Sequence, residues 1–142
     1  LLFTLASCAH MEKIDSAYTS KDPSFQKSYA KNQQQCLAAT VKAVKDMGAG
    51  IDEQKGSELS TTKWVAHESA EGSGSGGYYV ATYNKQEAKL YVKVSGTQKN
   101  CNVAVTRVRA WNNNVEYEKL NLAFTKARVV EPFFKNLEER MN

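Results

Sequence analysis

The 142-residue chain has little of what marks metal or catalytic chemistry: two histidines, His10 and His67, and three cysteines, none of them at ligand spacing. A metal site is therefore not expected. No nucleophile elbow and no marked pair of carboxylates occurs, and Gly72-Ser73-Gly74-Ser75-Gly76-Gly77 lacks the lysine and the following helix of a phosphate cradle. The chain reads as a non-enzyme without a cofactor, and this glycine segment as a hairpin loop that could order on contact with a partner. No run beyond the first residues approaches the ~20 apolar residues of a membrane-spanning helix, so the body is expected to be soluble. Prolines are scarce too: Pro23 stands at the edge of the first helical pattern and Pro132 inside the last, where a missing amide hydrogen should kink or split a helix.

What is there begins at Leu1-Leu2-Phe3-Thr4-Leu5-Ala6-Ser7-Cys8, an apolar run that ends in small residues and a cysteine, which is how a secretory signal ends. Leu5-Ala6-Ser7-Cys8 resembles a bacterial lipobox. The resemblance implies cleavage before Cys8, a diacylglycerol on its thiol and an acyl chain on its amine. About three chains at ~0.8 kcal/mol per buried methylene would make a permanent membrane anchor. Residues 1–7 are then a signal remnant, unless His10-Met11 marks a cloning junction and Cys8 a scar. Ala9 stands where, in lipoproteins of Gram-negative bacteria, an aspartate would favour the inner membrane, so the outer membrane, facing the periplasm, is the expected address. Residues 8–23 form the lipidated cysteine and a polar tether of r.m.s. span ~20 Å.

The remaining 24–142 make one domain with one core. A net charge of +4 permits anionic partners, but the lysines are scattered among glutamates as on a solvated surface. Export disfavours nucleic acid. Cys36 and Cys101 form an even pair in an oxidising compartment, which suggests a disulfide closing a loop of about 65 residues; the alternative is two separately buried thiols.

Apolar positions at spacings of three and four predict a helix over 24–47, started by Asp22 or Ser24 and ended by Gly48, with the polar run 32–35 as a solvated face. Four β-rich runs follow at 59–69, 78–83, 88–95 and 101–111, and a second long helix over 117–141. The expected fold is α+β in the order α-β-β-β-β-α: a four-stranded antiparallel meander with two long helices on one face. The expected helical core stripe is Leu120, Ala123, Phe124, Ala127, Val130, Phe134, Leu137 and Met141. Leu122, Val129 and Phe133 fall outside it, either widening the core stripe or offering a partner-binding face. Leu90, Val92 and Val94 should turn inward and Tyr91 outward, beside Lys89 and Lys93. On the last strand Cys101, Val103 and Val105 share one face, with Arg107, Arg109 and Trp111 in phase with them and Ala104, Val108 and Ala110 opposite, unless a bulge exchanges the two sets.

The segment 41–52, in which an amphipathic helix ends at Gly48, and the following Gly56-Ser57-Glu58-Leu59-Ser60-Thr61 resemble small envelope lipoproteins with helix-grip or BamC-like domains. That resemblance implies an accessory role in a complex of the cell envelope and carries over no active-site residue. The expected function is a lipid-anchored periplasmic binding or scaffolding module for an envelope protein. Its candidate partner surface comprises Tyr91, Arg107, Arg109, Trp111, Leu122, Val129 and Phe133. A carrier or sensor of a small apolar ligand, or a binder of peptidoglycan or another glycan, is the alternative.

Overall fold

The structure, a computed structural model, describes residues 22–142; Cys8, the expected signal remnant at 1–7 and residues 9–21 of the expected tether lie outside the described residues. Instead of a helix beginning at residue 24, the chain opens with a 3-10 turn, Pro23–Phe25, and a short strand, β1 (Gln26–Tyr29). The first helix, α1, is shorter than expected and spans Gln33–Asp46. Phe25 and Tyr29 are four residues apart, a helical spacing. Pairing of β1 with the far edge of the sheet, from Gln26↔Ala104 to Tyr29↔Cys101, outweighs it. Asn32 sets the true start: its Oδ1 accepts from the Gln35 N–H at 2.8 Å while Gln35 Oε1 accepts from the Asn32 N–H at 3.2 Å. This reciprocal cap satisfies two donors that a helix start leaves open. The polar run 32–35 is thus a start signal rather than only a solvated face.

Among the described residues the sheet has seven strands where four were expected, with neighbours in antiparallel pairs. β2 (Ile51–Lys55) and β3 (Glu58–Thr61) form a hairpin, and β4 (Trp64–Ser75) and β5 (Tyr78–Gly96) a longer one. β6 (Cys101–Asn112) and the two-residue β7 (Val115–Glu116) complete the sheet. The path runs β1-β6-β5-β3-β2, with β4 alongside β5 and β7 at the end of β6. The run expected as one strand over 59–69 divides because β3 pairs with β5 at Tyr91 to Lys93 while β4 pairs with it from Tyr78 to Ala88. The glycine segment is not a loop. Residues 72–75 belong to β4, and Gly76 and Gly77, at φ +62° and +86°, form the two-residue turn whose twist suits a hairpin.

The C-terminal helix begins at α2 (Leu122–Thr125), passes through a π segment, Lys126–Val130, and continues as α3 (Glu131–Met141). Pro132 does not split it. The wider π turn lies immediately before the proline, where the ordinary helical hydrogen-bond pattern would need the amide hydrogen that proline lacks. The extra residue also rotates the buried stripe. Val129, Val130, Phe133, Phe134 and Leu137 are all buried, whereas Ala123 and Ala127, expected in the core, are exposed.

α1 and α3 pack on one another, and the buried faces of both helices join Leu59, Leu90, Val92, Val94, Val103 and Val105 of the sheet in one core. Cys36 of α1 and Cys101 at the start of β6 are joined by a disulfide, with Cα atoms 6.5 Å apart. It fastens the helix layer to the sheet. Just before it the β5–β6 turn allows only glycine at position 96: φ is +148°, and a Cβ there would stand 2.2 Å from the Asn100 carbonyl oxygen.

Candidate functional site

The side of the sheet away from the helices is organised by one irregularity. Between Tyr91↔Arg107 and Val92↔Val105 the register shifts, and Thr106 is the additional residue. A bulge of this kind reverses the alternation of the strand beyond it. Val108 and Ala110, expected outside, are therefore buried on the helix side, while Arg107 and Arg109 turn outward beside Lys89 and Tyr91. The Thr106 hydroxyl donates to the Tyr91 carbonyl at 3.2 Å across the shift.

Two aromatic rings anchor the open face, each between cations. Lys89 Nζ and Arg107 Cζ each stand 5.3 Å from the Tyr91 ring centroid. Lys63 Nζ lies 4.1 Å, and Arg109 Cζ 5.0 Å, from the Trp111 ring. Such stacks hold guanidinium and ammonium groups in place over an apolar floor. Carboxylates complete the array: Arg109 donates to both oxygens of Glu116, at 2.6 and 2.9 Å, and Lys89 to Asp52 at 2.7 Å. Arg109 holds the Glu116 carboxyl below its ordinary range, and hydrogen bonding to Asp52 raises the Lys89 pKa. Beside Tyr91 a solvent-open cleft of about 380 Å³ is lined by Glu53, Lys55, Glu58, Ser60 and Lys93 among others. The face is mixed in sign and aromatic at its floor, with Tyr91 half-buried and Trp111 only 7% exposed beneath its cations, and no helix lies over it among the described residues.

Tyr91, Arg107, Arg109 and Trp111, four of the seven candidate surface residues, thus meet on this face. The other three do not join them. Val129 and Phe133 are 2% and 0% exposed and belong to the core, which removes them as a partner surface, while Leu122, 41% exposed, stands alone of the three at the start of α2. The widened core stripe is the correct reading of Val129 and Phe133, because the π turn brings both round to the sheet. Cys8 lies outside the described residues. Lys63, Asp52 and Glu116 were missed: Lys63 occupies a two-residue connection, and Glu116 a strand too short to leave a periodic signal. Among the described residues no group of three or more His, Cys, Asp or Glu side chains could hold a metal ion.

Ion pairs of this kind also tie the domain together elsewhere. Lys126, in the π segment, pairs with Asp22 and holds its carboxyl down at about 2, from an ordinary 3.8, and Arg140 lowers Asp46 across from α3 to α1. A carboxylate whose folded pKa is depressed contributes stability that is complete above its unfolded value and is lost as pH falls through the folded one. Melting temperature is accordingly expected to hold steady down to about pH 4 and then fall toward about pH 2. Asp22→Asn should make that acid limb shallower in thermal melts; an identical limb would mean that other carboxylates set it.

Compared with known proteins, the chain matches no family model and no curated protein sequence. Among solved structures it is similar to a DUF4468 family protein from Bacteroides ovatus, at 13% identity and a TM-score of 0.50, over 92% of this chain and 94% of that one. The likeness is one of fold.

Proposed function

We propose that the chain is a lipid-anchored binding module of the bacterial envelope, tethered through Cys8 to the periplasmic side of the outer membrane, and that it holds another envelope protein on its open sheet face. The observation that carries the reading is the half-buried Tyr91 ring, with the buried Trp111 ring as floor, set among Lys63, Lys89, Arg107 and Arg109 on a face with no helix over it among the described residues. Tyr, Trp and Arg are the side chains that concentrate binding energy at protein interfaces, because each couples a large apolar area to a directional polar group. The ion pairs and stacks already order these groups, so less side-chain freedom is lost on contact. The module acts by binding, without turnover. A carrier of apolar ligands finds less support: Phe25, Phe133, Phe134 and Leu137 occupy the core where such a ligand would sit, each at most 2% exposed.

The test is recovery of a stoichiometric partner from detergent-solubilised membranes with the full chain, beside Tyr91→Ala and Cys8→Ala variants. The reading expects a partner that is lost with Tyr91→Ala at unchanged melting temperature. It also expects a triacylated mass beginning at Cys8, and loss of outer-membrane recovery with Cys8→Ala. An unmodified soluble chain would refute the anchor, and absence of any stoichiometric partner would refute the binding role.

A further inference from the structure

We propose that β4 pairs along its free edge with β4 of a second copy of this chain, antiparallel about a twofold axis at Ala70, so that two β4–β5 hairpins merge into one four-stranded sheet. This surface is separate from the Tyr91 face.

The β4–β5 hairpin outruns the rest of the sheet. β6 accompanies β5 only as far as Gln86↔Asn112, whereas β4 stays paired with β5 from Glu68↔Lys85 to Ser75↔Tyr78. Over that length two strands stand without a third among the described residues, and three or more are needed for independent stability in water. The outer edge of β5 is engaged at its foot, where the Asn113 side chain accepts from the Lys85 N–H at 2.9 Å and donates to the Tyr83 carbonyl at 3.0 Å. β4 is the open side. Among the described residues it pairs with β5 alone, so alternate residues turn their N–H and C=O groups outward. An additional residue, Ala66, bulges the strand between Val65↔Glu87 and His67↔Gln86 and closes the foot of this edge to regular pairing. Beyond it, from His67 to Ser75, stands none of the lysines or prolines that ordinarily keep an exposed edge from pairing.

The side chains along this stretch complement themselves. Residues that face each other across an antiparallel pair share a face of the sheet, and a twofold axis sets each residue against the one equally far beyond the centre. Glu68 and Glu71 lie on opposite faces and never meet, so like charges coincide only if the axis falls on one of them. With the axis at Ala70, this alanine faces its twin, Glu68 faces Gly72, and Glu71 faces Ser69 with His67 diagonal to it on the same face. The Ser69 hydroxyl of one copy then donates to the Glu71 carboxylate of the other, with the His67 imidazole in reach, and both contacts occur twice by symmetry. Glu71 thereby gains donors in a stretch, Trp64 to Asn84, that holds no lysine or arginine, while Glu68 keeps Lys85 opposite it in its own hairpin. A centre at Ser69 would draw the bulge at Ala66 into the pairing, and one at Glu68 or Glu71 would set an acid on its twin. Ala70 is therefore the centre.

The test uses the full chain with Cys8→Ala, whose two remaining cysteines are joined in the disulfide. The proposal expects a monomer–dimer equilibrium in sedimentation, and amide exchange over residues 67–73 that slows as concentration rises. Ala70→Lys, at an exposed position, sets two ammonium groups face to face and should weaken the dimer at least tenfold with the circular dichroism of the monomer unchanged. Glu71→Ala should weaken it several-fold. Cysteine variants read the register. Ala70→Cys should cross-link to its twin on air oxidation, because facing Cα atoms stand about 4.5–5.5 Å apart, whereas Glu68→Cys stands roughly 14 Å from its twin, beyond the reach of a disulfide. A monomer at all concentrations, a dimer undiminished by Ala70→Lys, equal cross-linking of the two cysteine variants, or protection elsewhere than on β4 would overturn the proposal. Tyr91→Ala should dimerise normally. Failure of the open-face reading would therefore show as absence of a membrane partner with the dimer retained, and failure of this one as a monomer that still recovers its partner.

Discussion

Replacing Cys36 and Cys101 together by alanine is expected to lower stability by about 4 kcal/mol, the chain-entropy value for a closed loop of this length. The disulfide spans a sequence separation of 65 and joins a helix to the opposite layer, so cutting it releases an unfolded chain with far more conformations. Alanine rather than serine keeps the comparison clean. Both positions are buried, at 0% and 2% exposure, and a hydroxyl there would add an unsatisfied polar group. For a domain of this size the loss corresponds to a fall in melting temperature of roughly 15 °C, measurable by circular dichroism. Reductant added to the native wild-type protein should act slowly, since both sulfurs must first be exposed. A double variant that melts within a few degrees of wild type would mean that residual structure already restricts the unfolded chain to the same degree.

The second large effect is at Phe133. It is fully buried, its ring meets Phe134 edge-on at 5.2 Å, and both belong to the cluster that joins the helices to the sheet. Phe133→Ala should cost about 3–5 kcal/mol, the sum of lost apolar transfer and the cavity left behind. Leu122→Ala, at a position 41% exposed, should change stability by no more than about 1 kcal/mol. Chemical denaturation of the two variants separates the roles that the sequence had grouped in one stripe. Comparable small losses at both sites would place Phe133 on a surface and refute its assignment to the core.

The difference between those two residues is a matter of helical phase. A spacing of 3.6 residues carried evenly through 117–141 puts Ala123 and Ala127 inward and leaves Val129 and Phe133 outside. One π turn at Lys126–Val130 shifts the phase and reverses both assignments. Pro132 signalled a disturbance at the right place, but whether the helix would break or widen depends on what covers it. On the sheet the same arithmetic applies. The alternation of β5 from Ala88 to Ser95 was legible and correct, whereas that of β6 held only to Val105, because a single additional residue at Thr106 exchanges the two faces beyond it. Tyr91, Arg107, Arg109 and Trp111 could therefore be singled out in the sequence one by one, but only the bulge brings them together on one face.

The α+β class, the antiparallel strands, the covering C-terminal helix and the pairing of Cys36 with Cys101 were within reach of the sequence by itself. Each rests on local periodicity, or on a count of two cysteines in one domain, and both survive whatever the tertiary arrangement. Tertiary structure alone decided that 26–29 is a strand, that 59–69 divides between two strands, that the glycine segment is paired rather than looped, and which stripe of the last helix is core. In every one of these the local preference is weak, and hydrogen bonds and burial supplied by residues distant in sequence are large enough to overrule it.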